Sequence, residues 1–141
     1  AAVEPAAGLR DTVPVGTALP MKAGSAAQVL LAWQDAAAIQ HELVGARFSA
    51  AALVKVRQNG WAQSVGQREP GVASVSAPVK VGGRVVAAIS VSGPIERLSR
   101  SPGTKFGPAV KDAARNLTEA MRLGAAVEPD PRRGPISGSD R

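Results

Sequence analysis

Gly82-Gly83 stands between two runs in which serines alternate with small apolar residues. Before it lies Val72-Ala-Ser-Val-Ser-Ala-Pro-Val79, and after it Arg84-Val-Val-Ala-Ala-Ile-Ser-Val-Ser92. Consecutive glycines accept the positive φ angles that a tight hairpin turn demands, and the flanking runs carry the period of two that marks strands. A chain with this pairing near its centre holds an antiparallel sheet. The segments on either side carry helical patterns, so the expected fold class is α+β.

Ahead of the hairpin, Ala23–Trp33 reads as a short helix, with Ser25 as N-cap and Gln28 completing a capping box. Val29, Leu30 and Trp33 share one side of it. Asp35 starts a second turn or helix through Leu43, which Gly45 breaks. Ser49 caps a third helix running to Asn59, with Leu53 and Val56 inward and Gly60 as its left-handed C-cap. Trp61–Val65 is a short strand, joined to the hairpin by the loop Gly66–Gly71. After the hairpin, a polar loop leads to a helix from Phe106 to Leu123. Its apolar stripe is Phe106, Val110, Ala113, Ala114, Leu117 and Met121, and Gly124 is expected to stop it. Near the start, residues 11–18 read as a strand and turn in which Pro14 suits a sheet edge. Residues 125–141, rich in Pro, Gly, Ser and charge, are expected to be disordered, leaving 1–124 as one folded unit.

The core must be built from small side chains, because aromatics make up 3% of the chain and Tyr is absent. Each small residue removes little area from water, at ~25 cal/mol per Å². Association with a second copy, as a dimer or tetramer, is therefore expected, with Val29, Leu30 and Trp33 of the first helix at the interface. The absence of Cys excludes disulfides and thiolate metal sites. His41 is the single histidine and falls on an exposed helical turn, which excludes a metal site of several histidines. The close carboxylate pair Glu128 and Asp130 lies in the tail. Gly66-x-x-x-x-Gly71 lacks the Gly-Lys-Ser/Thr ending of a phosphate loop, and Gly-x-Ser-x-Gly is absent. No catalytic residue, metal or cofactor is expected, and the chain does not read as an enzyme.

The net charge is +6. Its excess cations are scattered over residues 1–124 without the basic clusters and interleaved aromatics of a nucleic-acid reader. No apolar run approaches the ~20 residues of a membrane span. No signal peptide is visible, and a cytoplasmic, internal fragment is the expectation.

The serines carry the functional signal. Ser74 and Ser76 alternate with Val75 and Ala77, and Ser90 and Ser92 with Ile89 and Val91. One face of each strand therefore mixes hydroxyls with small groups, which leaves space and supplies adaptable donors and acceptors. Such a lining suits a small polar metabolite. The same pattern also fits half-exposed strands whose serines face water.

Several stretches resemble one family in order and spacing. They are Leu19-Pro20-Met-Lys-Ala-Gly-Ser-Ala-Ala-Gln-Val-Leu-Leu-Ala32, Gly60-Trp-Ala-x-Ser-x-Gly-x-x-x-Pro-Gly71, Val75-Ser-Ala-Pro-Val79 and Val85-Val-Ala-Ala-Ile-Ser-Val-Ser-Gly-Pro94. Together with the closing helix, they resemble the C-terminal effector-binding domain of IclR-family transcriptional regulators. The resemblance implies a GAF-like antiparallel sheet flanked by helices and truncated at its N-terminus. It also implies a small-molecule effector, an amino acid or small organic acid, with self-association and operator binding through a separate winged helix-turn-helix. Within that family the chain most resembles the actinobacterial subgroup controlling amino-acid biosynthesis, leucine in particular. Carried over by motif, the effector-binding positions are Asp11, Ser25, Ala26, Ser64, Ser76, Ala77, Ser90 and Ser92. Many members carry acids where this chain has Ser64 and Gln67, which implies a less acidic pocket. Two other readings remain: a GAF-like sensor attached to no DNA-binding domain, and a small hydrolase, against which the scarcity of acid and base groups argues.

Overall fold

A computed structural model of the chain describes residues 15–126. In order, the elements are α1 (Ser25–Ala32), α2 (Ala36–Leu43), α3 (Ala50–Asn59), β1 (Ala62–Val65), β2 (Val72–Val81), β3 (Arg84–Pro94), α4 (Ile95–Leu98) and α5 (Pro102–Ala126). The three strands form one antiparallel sheet in the order β1-β2-β3. Gly82 and Gly83 take φ of 57° and 77°, and so make the hairpin turn. The α+β class and the hairpin therefore stand as expected.

The pairing register decides which residues share a face. Ser64 lies opposite Ser74 and Ser74 opposite Ser92, while Ala62, Ser76 and Ser90 align across the same sheet. The period of two puts all of these on one face and Val75, Ala77 and Val79 on the other. The second face packs against Val110 and Ala114 of α5, with Trp61, Ile89, Val91 and Phe106 around them. On the serine face, α1 lies between the sheet and α3. Ala27, Val29, Leu31 and Ala32 join Phe48, Leu53, Val56 and Ala62 in a second core. The described residues thus place helices on both faces of the sheet, with a core of mostly small side chains on each side.

Local chemistry explains most boundaries. Asp35 accepts the Ala38 N–H at 2.8 Å and Ser49 accepts that of Ala52 at 3.2 Å, each capping its helix. Gly60 ends α3 in the left-handed conformation with φ of 75°. Long side chains close two other helices: Arg57 Nη1 donates to the Ala32 carbonyl, and Lys22 Nζ to that of Glu42.

Several expectations need correction. Ser25 is not the N-cap of α1; Gly24 is, with φ of 92°, a conformation that favours glycine. Ser25 becomes the first helical residue, and Gln28 makes no capping box. The last helix begins at Pro102 rather than Phe106, because proline's fixed φ suits the first helical position. Gly124 does not stop α5, which runs to Ala126. A single glycine costs a helix roughly 1 kcal/mol and need not end it. Residues 15–18 form a turn and irregular chain, and the rest of the first expected strand lies outside the described residues. Val29 is fully buried inside its own chain, because α1 is covered by both the sheet and α3, so it has no surface for a second copy.

Candidate functional site

Five hydroxyls meet beneath the N-terminal end of α1. Ser25 Oγ lies 2.7 Å from Ser74 Oγ and 2.7 Å from Ser76 Oγ. Ser74 Oγ lies 2.8 Å from Ser64 Oγ, and Ser76 Oγ lies 2.6 Å from Ser90 Oγ. The result is a linear chain: Ser64, Ser74, Ser25, Ser76, Ser90. The sheet register supplies four of its members, and the seating of α1 brings the fifth from 49 residues away in sequence. Ser25, Ser64 and Ser76 are buried, Ser74 is half-buried and Ser90 is exposed. Ser92, also exposed, lies on the same face beside Ser74.

A second set of contacts fixes α1 above this chain. The loop between β1 and β2 reaches across the start of the helix. Gln67 Oε1 accepts the Gly24 N–H at 3.1 Å and a Gln28 Nε2 hydrogen at 3.4 Å. Arg68 Nη2 donates to the Ala23 carbonyl at 2.6 Å. Gln28, itself buried, also donates to the Gln63 carbonyl at 3.1 Å. The side-chain cap that α1 lacks locally therefore arrives from Gln67, 43 residues on. Among the described residues, the hydroxyl partners of these five serines are one another. The hydrogen bond and charge of Lys22 hold the Glu42 carboxyl below its ordinary value, with His41 adding to the effect.

The expected site residues divide cleanly. Ser25, Ser64, Ser76 and Ser90 are brought into one hydrogen-bonded set, and Ser92 onto its face. Ala26 is half-buried on α1 and has no polar group to add. Ala77 does not join them, because it points through the sheet into the α5 core. Asp11 lies outside the described residues. Ser74 was missing from the expected site although it shares parity with Ser76, a signal the sequence does carry. Gln28 and the Gln67 cap are long-range contacts that no local pattern announces. Among the described residues, no group of three or more His, Asp or Glu side chains is placed to hold a metal ion. A shallow apolar depression of about 230 Å³ lies between β3 and α5, lined by Ile89, Val91, Phe106, Ala109, Val110 and Ala113 with Ser90. It opens on the face opposite the buried serines.

Residues 1–119 match the family described as bacterial transcriptional regulator IclR C-terminal. The chain belongs to the IclR family. A C-terminal domain of a Vibrio cholerae transcriptional regulator is 32% identical to this IclR chain, with a TM-score of 0.65, covering 76% of this chain and 69% of that one. The glycerol operon regulatory protein of Streptomyces griseus is 32% identical over 130 residues, covering 82% of this chain and 51% of that protein. A Rhodococcus sp. RHA1 transcriptional regulator shares the IclR fold, with a TM-score of 0.75 at 24% identity over 86% of this chain and 54% of that one. This IclR chain thus spans about half the length of the fuller curated relatives it matches, and those relatives are named as regulators rather than enzymes. Among the described residues, no helix is long and apolar enough to cross a membrane.

Proposed function

We propose that this chain is the metabolite-sensing and self-associating part of an IclR-type transcriptional regulator. A winged helix-turn-helix segment outside this chain would bind the operator, and occupancy of the serine face would control it. The observation that carries this reading is the hydroxyl chain running from a buried core position to Ser90 at the surface. Buried hydroxyls in a close-packed aliphatic layer are out of place in a purely structural core, where apolar side chains would pack without needing partners. Here they converge on one exposed end beside Ser92, and they are held by a helix that a loop clamps from outside.

The effector is a small polar molecule, an amino acid or small organic acid. The resemblance to regulators of amino-acid biosynthesis, leucine in particular, puts amino acids and 2-oxo acids first among the probes. The protein acts in the cytoplasm, needs no cofactor and catalyses nothing. Thermal-shift screening of the chain against these two classes tests the reading. A ligand at 100 times its Kd adds ~2.7 kcal/mol of stability. The effect of a hit should weaken in Ser90→Ala and Ser92→Ala variants. A hit whose affinity is the same in both variants would move the site elsewhere. A sequence-selective operator shift by this chain alone, at physiological salt, would contradict the assignment of DNA reading to another segment.

A further inference from the structure

The loop between β1 and β2 forms a strap that is held to α1 by polar contacts. None of its six residues, Gly66-Gln-Arg-Glu-Pro-Gly71, belongs to either core. Gln67 Oε1 accepts the Gly24 N–H at 3.1 Å and a Gln28 Nε2 hydrogen at 3.4 Å. Arg68 Nη2 donates to the carbonyls of Ala23 and Pro20, at 2.6 and 3.4 Å. Its guanidinium lies against the Gly24 backbone, 3.4 Å from where a Cβ would stand. Hydrogen bonds of this kind are exchanged against bonds to water, so each adds little net stability. A segment held by them, without buried apolar surface, opens more easily than the whole fold.

Both ends of the strap are built to turn. Gly66 and Gly71 take φ of 66° and 80°, and among the described residues a Cβ at either would meet nothing within 4 Å. The backbone conformation, rather than a close neighbour, calls for glycine there, and the open space leaves both joints free to swing. The base of the strap is anchored. Gly66 N–H donates to the Val72 carbonyl at 2.8 Å, and Ile95 N–H to that of Gly71 at 2.9 Å. The body of α1 is anchored too, through buried Val29, Leu31 and Ala32. We infer that residues 66–71 are a latch, swinging on Gly66 and Gly71, whose release from Ala23 and Gly24 opens the seam where Ser25, Ser64 and Ser74 meet. With the latch closed, Ser25 and Ser64 are 2% and 6% exposed. Its opening therefore sets how often solvent or a solute reaches these hydroxyls.

Native-state hydrogen exchange on the full chain, followed by NMR in rising sub-denaturing urea, tests the latch without any ligand. The Gly24 amide should exchange through a local opening, faster than the amides paired between β2 and β3 and with little dependence on urea. The Gly66 and Ile95 amides, which anchor the base, should keep the slower exchange of the sheet. Arg68→Met leaves the bond from Gly24 to Gln67 in place but weakens the latch, and should speed Gly24 exchange by about 2- to 12-fold. A second readout uses the absence of cysteine from the chain. Ser64→Cys places one thiol in the seam, and its iodoacetamide labelling should rise by the same factor when Arg68→Met is added. Labelling of Ala32→Cys, at the anchored end of α1, should not change. A Gly24 amide that exchanges with the sheet at every urea concentration overturns the latch. So does a Ser64→Cys labelling rate that Arg68→Met leaves unchanged.

Discussion

Replacing Gly107 by alanine should destabilise this protein, although glycine is a poor helix residue and alanine the best one. Gly107 lies inside α5, where the exchange alone is worth about 1 kcal/mol in favour of alanine. Its added Cβ would sit 2.7 Å from Trp61 Nε1 and 2.9 Å from both Cδ1 and Cε2. Those separations fall roughly 0.6–1.3 Å short of the optimal 3.5–4.0 Å between carbon atoms. The obstacle is the body of a rigid indole rather than the tip of a flexible chain, and overpacking of this kind costs about 1–3 kcal/mol. The net loss is therefore about 0–2 kcal/mol, with its upper half readable by denaturant titration. Gly124 provides the control, since a Cβ there meets nothing within 4 Å. Gly124→Ala should be neutral or stabilising. In a Trp61→Val background the overlap disappears, and Gly107→Ala should turn stabilising. A Gly107→Ala protein that gains as much stability as Gly124→Ala in the native background would refute the close helix-to-indole contact.

Three further outcomes follow from the same structure. Ser76→Ala leaves Ser25 and Ser90 each short of one partner and should cost about 1–3 kcal/mol by thermal or urea unfolding; a change below about 0.5 kcal/mol, the size of a neutral surface substitution, would mean the hydroxyl chain is not formed. Glu42 has a lowered folded-state pKa, so its pairing with Lys22 contributes above the unfolded carboxylate pKa and is lost as pH falls through the folded value; unfolding across the acid range should show a shallower stability loss in Lys22→Met, and an unchanged slope would dismiss the pair. Leu30 is only half-buried on α1, and Leu30→Asp tests self-association by light scattering over a concentration series; an oligomer unaffected in a folded variant would move the interface to other exposed apolar positions such as Val86 or Leu117.

The parts of the fold legible in the sequence are those decided by neighbours. Asp35, Ser49 and Gly60 act within a few residues of themselves, and Gly82-Gly83 sets a turn by its own backbone freedom. The period of two likewise puts Ser74 with Ser76 on one face of β2, and Ser90 with Ser92 on one face of β3. What escaped is decided across the sheet. Ser25 looks like a cap because serine usually is one. Its hydroxyl instead turns to Ser74 and Ser76, and Gly24 takes the cap position. Gln67 closes that helix end from another loop, which no window of sequence can contain. Ala77 enters the expected site with Ser76 by motif, yet neighbours along a strand point to opposite faces. Val29 was assigned to the surface on the strength of a stripe, but a helix covered on two sides has no free stripe to offer.

The placement of the two tryptophans has a practical consequence. Trp33 packs against the core under α1 and α3, with the Lys80 ammonium 4.3 Å from its ring centroid, while Trp61 packs in the core under α5. The chain has no tyrosine to add background emission. Each layer therefore carries its own fluorophore, and Trp33→Phe and Trp61→Phe variants would each leave a single emitter on one known side of the sheet. Matched unfolding curves from the two would mean that the layers melt as one body. A Trp33 signal that moves first would identify the serine-bearing side as the layer that loosens while the α5 side still holds.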